Sequence, residues 1–143
     1  MKDLTDGPRS LTRGECLDLM GTVKVGRVVF TEHALPAVMP VGFVLEGGDV
    51  VVCVPPASGL AAATGGAIVA FEADDLGTTG PAGWTVTVVG RARVVRDPGD
   101  PARRALAAWT SGPRPEFMRI SCQRVTGRRV GPSSTGEGYE AAA

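Results

Sequence analysis

The chain has 143 residues, and its 15 basic residues balance its 15 acidic ones, so the formal net charge is zero. That length predicts one domain burying ~70% of its unfolded surface, and the balanced charge argues against the basic stripe of a nucleic-acid or membrane-surface binder. Three cysteines, Cys16, Cys53 and Cys122, are odd in number and far apart, which argues against a disulfide framework or zinc site and predicts reduced thiols in a cytoplasmic protein.

Residues 1–10 read as a flexible lead-in with no apolar secretory core. No apolar run reaches membrane-spanning length. Thr12-Arg-Gly-Glu15 has the spacing of a capping box and opens a helix that Gly21 stops. Strands follow at residues 24–30 and 37–45, joined by a turn at 31–34. Glu46-Gly-Gly-Asp49 is a hairpin turn, because glycine takes positive φ without steric cost. A third strand, 50–54, ends at Pro55-Pro56, which cannot continue a central ladder. Ser58 is placed to cap a short Ala-rich helix over 59–64, closed by Gly65-Gly66. A fourth strand covers 67–74 and a loop 75–82. Residues 83–96 alternate most clearly, with Trp84, Val86, Val88, Gly90, Ala92 and Val94 on one face. Asp100 is placed to cap a helix over 102–109. A Pro-rich connector at 111–115 leads to a last strand, 117–124, with 125–130 extending it or forming a hooked end. Residues 131–143 are small and polar and are expected to be disordered. Hairpins dominate and no βα unit repeats, so the fold class is mainly β, an antiparallel barrel with peripheral helices.

Several residues carry two readings. Pro40 interrupts the second strand and marks an edge, a bulge or a ligand-facing segment, while Gly42 leaves backbone bare for close approach of a flat ligand. His33, the only histidine, is a metal, haem or base candidate, but its polar turn favours simple exposure. Glu72, Asp74 and Asp75 are paired-carboxylate candidates that read better as outward strand residues. Ser58-Gly59 at a helix start is a phosphate seat or an ordinary cap. Trp84 and Trp109 are core residues or walls for a flat ring or a partner. Arg119 is a dimer salt bridge or an anion contact. There is no G-x-G-x-x-G after a strand, no P-loop and no G-x-S-x-G.

These segments, in order and spacing, resemble the pyridoxamine 5'-phosphate oxidase-like group of FMN-binding split-barrel proteins, of actinobacterial type. The resemblance is carried by Leu11-Thr-Arg-Gly-Glu-Cys-Leu17, Val25-Gly-Arg-Val-Val-Phe30, Pro36-Ala-Val-Met-Pro-Val-Gly-Phe43 and Val69-Ala-Phe-Glu72. It continues through Gly83-Trp-Thr-Val-Thr-Val-Val-Gly-Arg-Ala92, Trp109, Gly112-Pro-Arg114, Arg119-Ile120 and Val125-Thr-Gly-Arg-Arg129. It implies a six-stranded antiparallel split β-barrel over residues 11–130, working as a homodimer with FMN in a groove at the subunit interface. By the same resemblance, Pro40, Val41, Gly42 and Phe43 would face the flavin ring, and Val52, Cys53 and Val54 would line the groove. Ser58 and Gly59 would meet the phosphate, Trp84 would pack near the ring, and Trp109 would reach in from the partner or close the rim.

One departure stands out. FMN-binding relatives usually carry an Arg or Thr at the end of strand three and a Lys beside the helix start, where this chain reads Cys53-Val-Pro-Pro56 and Ser58-Gly-Leu60. Two absent charge-assisted bonds correspond to about a hundredfold in affinity or more. Arg27, or an arginine of the other subunit, is the compensating candidate. The implied function is a flavin-dependent oxidoreductase with no nameable general acid or base. Its alternatives are a non-enzymatic dimeric module with an altered flavin or haem site, for which His33 or Cys53 is the axial candidate, and an F420-dependent reductase.

Overall fold

The computed structural model describes residues 9–77 and 83–131. The expectations for residues 1–8, for the far part of the 75–82 loop and for 132–143 lie outside the described residues. Helix α1 (Arg13–Met20) begins with the anticipated capping box: the Glu15 N–H donates to Thr12 Oγ1 at 3.2 Å, and the Thr12 N–H donates to Glu15 Oε1 at 2.9 Å. Its buried residues, Cys16 and Met20, are four apart on one face and join the barrel core.

Seven strands follow: β1 (Val25–Glu32), β2 (Leu35–Glu46), β3 (Asp49–Val54), β4 (Ile68–Asp75), β5 (Gly83–Val95), β6 (Glu116–Ser121) and β7 (Arg124–Val130). All pairings are antiparallel, in the order β4-β1-β2-β3-β6-β5, and β4 pairs back onto β5 to close a six-stranded barrel. Closure removes the sheet edges. Strand β7 is the seventh, laid against Gly83–Val89 of β5.

The expected single strand over 117–124 is therefore two strands. Both lie on the same flank of β5, β7 along its first half and β6 along its second. The chain passes from one to the other beside Gly90, where a Cβ would run into the Ser121 carbonyl. At this split the Arg91 N–H donates to Gln123 Oε1 at 3.0 Å, so a side chain satisfies a ladder position.

The barrel interior is apolar, with Phe43 and Phe71 in edge-to-face contact, their ring centroids 4.8 Å apart. A smaller cluster lies on the outer surface. Val51, Cys53 and Phe117, which point outward from β3 and β6, are covered by Ala102 and Leu106. The helix supplying that cover differs from expectation. Helix α3 runs over Asp100–Ala105 and is followed by a 3-10 turn at Ala107–Trp109. Gly99, with φ 94°, takes the cap position instead of Asp100, and its N–H donates to Asp97 Oδ1 at 2.9 Å. Helix α2 (Leu60–Thr64) likewise has Gly59 at its cap instead of Ser58.

Candidate functional site

Strand β3 ends because Pro55 and Pro56 offer no ladder donors. The chain turns sharply there, with Ala57 at φ 56° and Gly59 at φ 75°, and enters α2. On the opposite wall, β5 runs past the barrel end. Its apolar alternation stays buried from Trp84 to Ala92 but emerges at Val94. Between these walls stands Glu116, the first residue of β6.

Three hollows meet at Glu116. The largest, about 840 Å³, lies between Val94, Arg96, Arg103, Arg114 and Glu116. The second, about 420 Å³, runs from Val54 and Val94 along Ser58, Gly59 and Ala62. The third, about 180 Å³, lies between Cys53, Ala57 and Arg114. The hollows adjoin along shared lining residues, Val54, Val94, Arg114 and Glu116, and together make up the cleft region. The two larger hollows each lie in the range of small-molecule sites.

The cleft is electrostatically uneven. At its α2 end, a Cβ on Gly59 would lie 2.9 Å from Glu32 Oε2, so a carboxylate lies against the start of the helix. Ser58 Oγ already accepts the Leu60 N–H at 3.3 Å. At the other end are three arginines. Arg103 pairs with Asp97 Oδ1 at 3.2 Å and lies over the Phe117 ring at 5.9 Å. Arg96, Arg114 and Glu116 take part in no ion pair among the described residues.

The residues singled out from sequence fall into three places. Val54, Ser58 and Gly59 line the cleft, as does Cys53. Cys53 also touches Trp109: its thiol donates to the Trp109 carbonyl at 3.3 Å, and burial pushes the thiol above its ordinary pKa. Trp109 belongs to the same chain as Gly42 and lies on it, since a Cβ there would enter the indole. The bare backbone at Gly42 is thus occupied by an indole of this chain. Val41, Phe43, Val52 and Trp84 point into the barrel and are buried, because strand alternation sends them inward. Arg27 and Pro40 sit opposite each other on the outer face of β1 and β2. Arg27 is held by Glu72 Oε2 at 2.8 Å and Asp74 Oδ2 at 3.4 Å, and it lines none of the three hollows.

His33 is exposed in the β1–β2 turn. Arg119 is committed within the chain, donating to Glu46 Oε2 at 2.8 Å, Asp49 Oδ2 at 3.0 Å and the Pro98 carbonyl at 3.1 Å. The residues that sequence reasoning did not assign to the site are Glu32, Val94, Arg96, Arg103, Arg114 and Glu116. Val94 carried one legible signal, as the last member of an apolar face at a strand end. Nothing in the local sequence brings Glu32 to α2 or the three arginines to one hollow.

The pyridoxamine 5'-phosphate oxidase family model matches residues 12–129. The protein Rv0080 of Mycobacterium tuberculosis is 38% identical over 130 residues, spanning 84% of each chain. Among solved structures, an FAD-binding protein from Mycobacterium smegmatis is 31% identical, with a TM-score of 0.68 over 87% of this chain and 98% of that one. A second, from Mesorhizobium loti, has a TM-score of 0.70 at 23% identity over 84% of this chain and 96% of that one, and shares the fold.

Proposed function

The chain belongs to the pyridoxamine 5'-phosphate oxidase family, and we propose that it is a homodimeric flavin-binding oxidoreductase whose cofactor lies in the cleft around Glu116. The observation that carries the reading is the cleft itself: apolar walls at Val54, Pro55, Ala62 and Val94 with Ser58 and Glu116 as the polar side chains among them. The FAD-binding relative from M. smegmatis, similar over nearly its whole length, supports it.

The fit is good for the ring and poor for a terminal phosphate at α2. Val54, Pro55, Ala61, Ala62 and Val94 offer the apolar surface that a flat heterocycle takes. At the start of α2 there is no Lys or Arg, and the Glu32 carboxylate would repel a dianion. Glu116, acceptor-only when ionised, suits the hydroxyl-rich chain that leaves a flavin ring.

A bound flavin supplies hydride or electron transfer. This chain's part is to bind it, orient it and exclude water. Trp109, seated on Gly42 and tied to Cys53, fixes the outer wall beside the cleft. Burial pushes the Cys53 thiol above its ordinary value, away from the thiolate a nucleophile needs, so it serves as a wall.

The dimer is proposed on the outer face of β4, β1 and β2. There Val29 stands opposite Val38 on one side and Ala70 on the other, with Val25 and Ile68 also exposed. Such apolar residues, grouped around the Arg27–Glu72–Asp74 ion cluster on the same face, suit a second copy of the chain.

The test of flavin binding is the visible spectrum of the purified chain after incubation with flavin and removal of the unbound fraction. A retained two-band flavin spectrum, bleached by a reduced nicotinamide, supports the oxidoreductase. A colourless protein refutes flavin binding.

A further inference from the structure

The largest hollow gathers three cations that the fold does not use together. Arg96 and Arg114 take part in no ion pair among the described residues, and Arg103 is shared between Asp97 and the Phe117 ring. They arrive from three separate places: just past the end of β5, from α3 and from the connector before β6. Like charges brought around one hollow repel each other, so packing gains nothing from collecting them. An anion between them offsets that cost, and each guanidinium offers a planar fork of donors to a carboxylate or a phosphate.

Backbone stiffness points the same way. Arg114 stands between Pro113 and Pro115, and all three line the hollow. Proline fixes its own φ and also restricts the residue before it. The Arg114 guanidinium is therefore carried by a segment with little backbone freedom to lose on binding, which favours affinity.

Charge and size set the ligand class. Asp97 already answers Arg103, which leaves two uncommitted cations, Arg96 and Arg114, at the hollow. Two free cations match a dianion. The hollow has about 840 Å³, against about 420 Å³ for the neighbour that takes the flavin ring, and by itself has the volume of a whole small-molecule site. That is room for a separate molecule, far more than the tail of a cofactor fills.

Resting on the flavin-binding reading, we infer that Arg96 and Arg114, backed by Arg103, form a subsite for a small organic dianion, a dicarboxylate or a phosphate monoester, that binds beside the flavin as its substrate. Val94 and Glu116 line both hollows, so a ligand held by the arginines abuts the apolar walls around the ring. The Glu116 carboxylate repels an anion at that border and keeps the charged end among the arginines.

The test is calorimetric titration of the full chain at neutral pH and constant ionic strength with succinate, ethyl phosphate and acetate, each alone and with saturating riboflavin or FMN. It is run on the wild type and on Arg96→Gln/Arg114→Gln. Arg103 is left intact because it also packs on Phe117. Thermal unfolding without any anion checks that the double variant is folded. The preferred dianion is expected to bind at least about tenfold more tightly than acetate. Whichever of succinate and ethyl phosphate binds more tightly decides between dicarboxylate and phosphate ester. The double variant is expected to lose at least about tenfold in dianion affinity while riboflavin changes by less than about twofold. Saturation with FMN is expected to leave the dianion affinity within about twofold.

Acetate binding as tightly as both dianions, or a folded double variant that keeps its dianion affinity, overturns the subsite. FMN that displaces the dianion where riboflavin does not assigns the arginines to the cofactor's phosphate and also overturns it, with flavin binding left standing. A chain that takes up a dianion but neither flavin overturns the flavin reading and leaves the dianion subsite in place.

Discussion

Gly42 and Trp109 show how one residue decides what a surface can hold. The missing Cβ at Gly42 lets the indole of Trp109 settle on β2, and the Cys53 thiol ties the Trp109 carbonyl to β3. Gly42→Ala pushes a methyl group into that indole. A loss of about 1–3 kcal/mol is expected, with a red-shifted Trp109 emission measured in a Trp84→Phe background. Unchanged emission would place the indole elsewhere. Glu72 gives a second residue-scale outcome. Burial first, then Asp74, push its carboxyl above the ordinary value of 4.5, against the opposing pull of Arg27. A raised value in the folded state favours the protonated form. The stability this contributes is full below the ordinary value and is lost as pH rises through the raised one. Glu72→Gln stays neutral throughout, so its melting temperature relative to wild type should rise as pH increases above the ordinary value of 4.5. A difference that is flat or falls with pH would refute the shift.

At the scale of elements, the β1–β2 hairpin carries its strain openly. His33 and Ala34 form a two-residue turn with φ of 51° and 64°, the left-handed pair that Asn-Gly normally fills. The expected turn at 31–34 contracts to these two residues because β1 and β2 pair all the way to Glu32 and Leu35. His33→Asn with Ala34→Gly should stabilise the chain by about 1–2 kcal/mol in denaturant unfolding, since each native residue resists that conformation. No gain would mean that the turn relaxes differently. The opposite case is α1, whose capping box is local chemistry and therefore formed as the sequence predicts. Thr12→Ala should cost about 1 kcal/mol. α3 is intermediate: its apolar residues gave a helix, but Gly99 and Asp97 took over the cap and the last turn tightened at Leu106.

For the whole molecule, closure of the six-stranded barrel leaves Val29, Val38 and Ile68 exposed on the outer face of β4, β1 and β2, beside the Arg27–Glu72–Asp74 cluster. If that face is the dimer contact, Val29→Lys with Val38→Lys places two facing cations on it. The molecular mass by light scattering should then fall from two chains to one, with the far-UV spectrum unchanged. A wild type that is already monomeric refutes the dimer. A variant that stays dimeric moves the contact to another face.

What the sequence determined by itself is what short-range chemistry enforces. The alternation of 83–96, the Gly-Gly turn after Glu46, the Pro-Pro stop after β3 and the capping box at Thr12 all act within a few residues. Together with the ordered family segments, they made a six-stranded antiparallel barrel legible. The tertiary structure decided the rest, because it depends on which strand faces are covered and which distant segments meet. Only barrel closure shows that Trp84, Phe43 and Val52 point inward while Cys53 points out beneath Trp109. Only the turn after β3 brings Glu32 to Gly59. Arg96, Arg103 and Arg114 lie up to eighteen positions apart in the chain. They share one hollow because β5, α3 and the connector to β6 converge on Glu116, a long-range arrangement that no local pattern encodes.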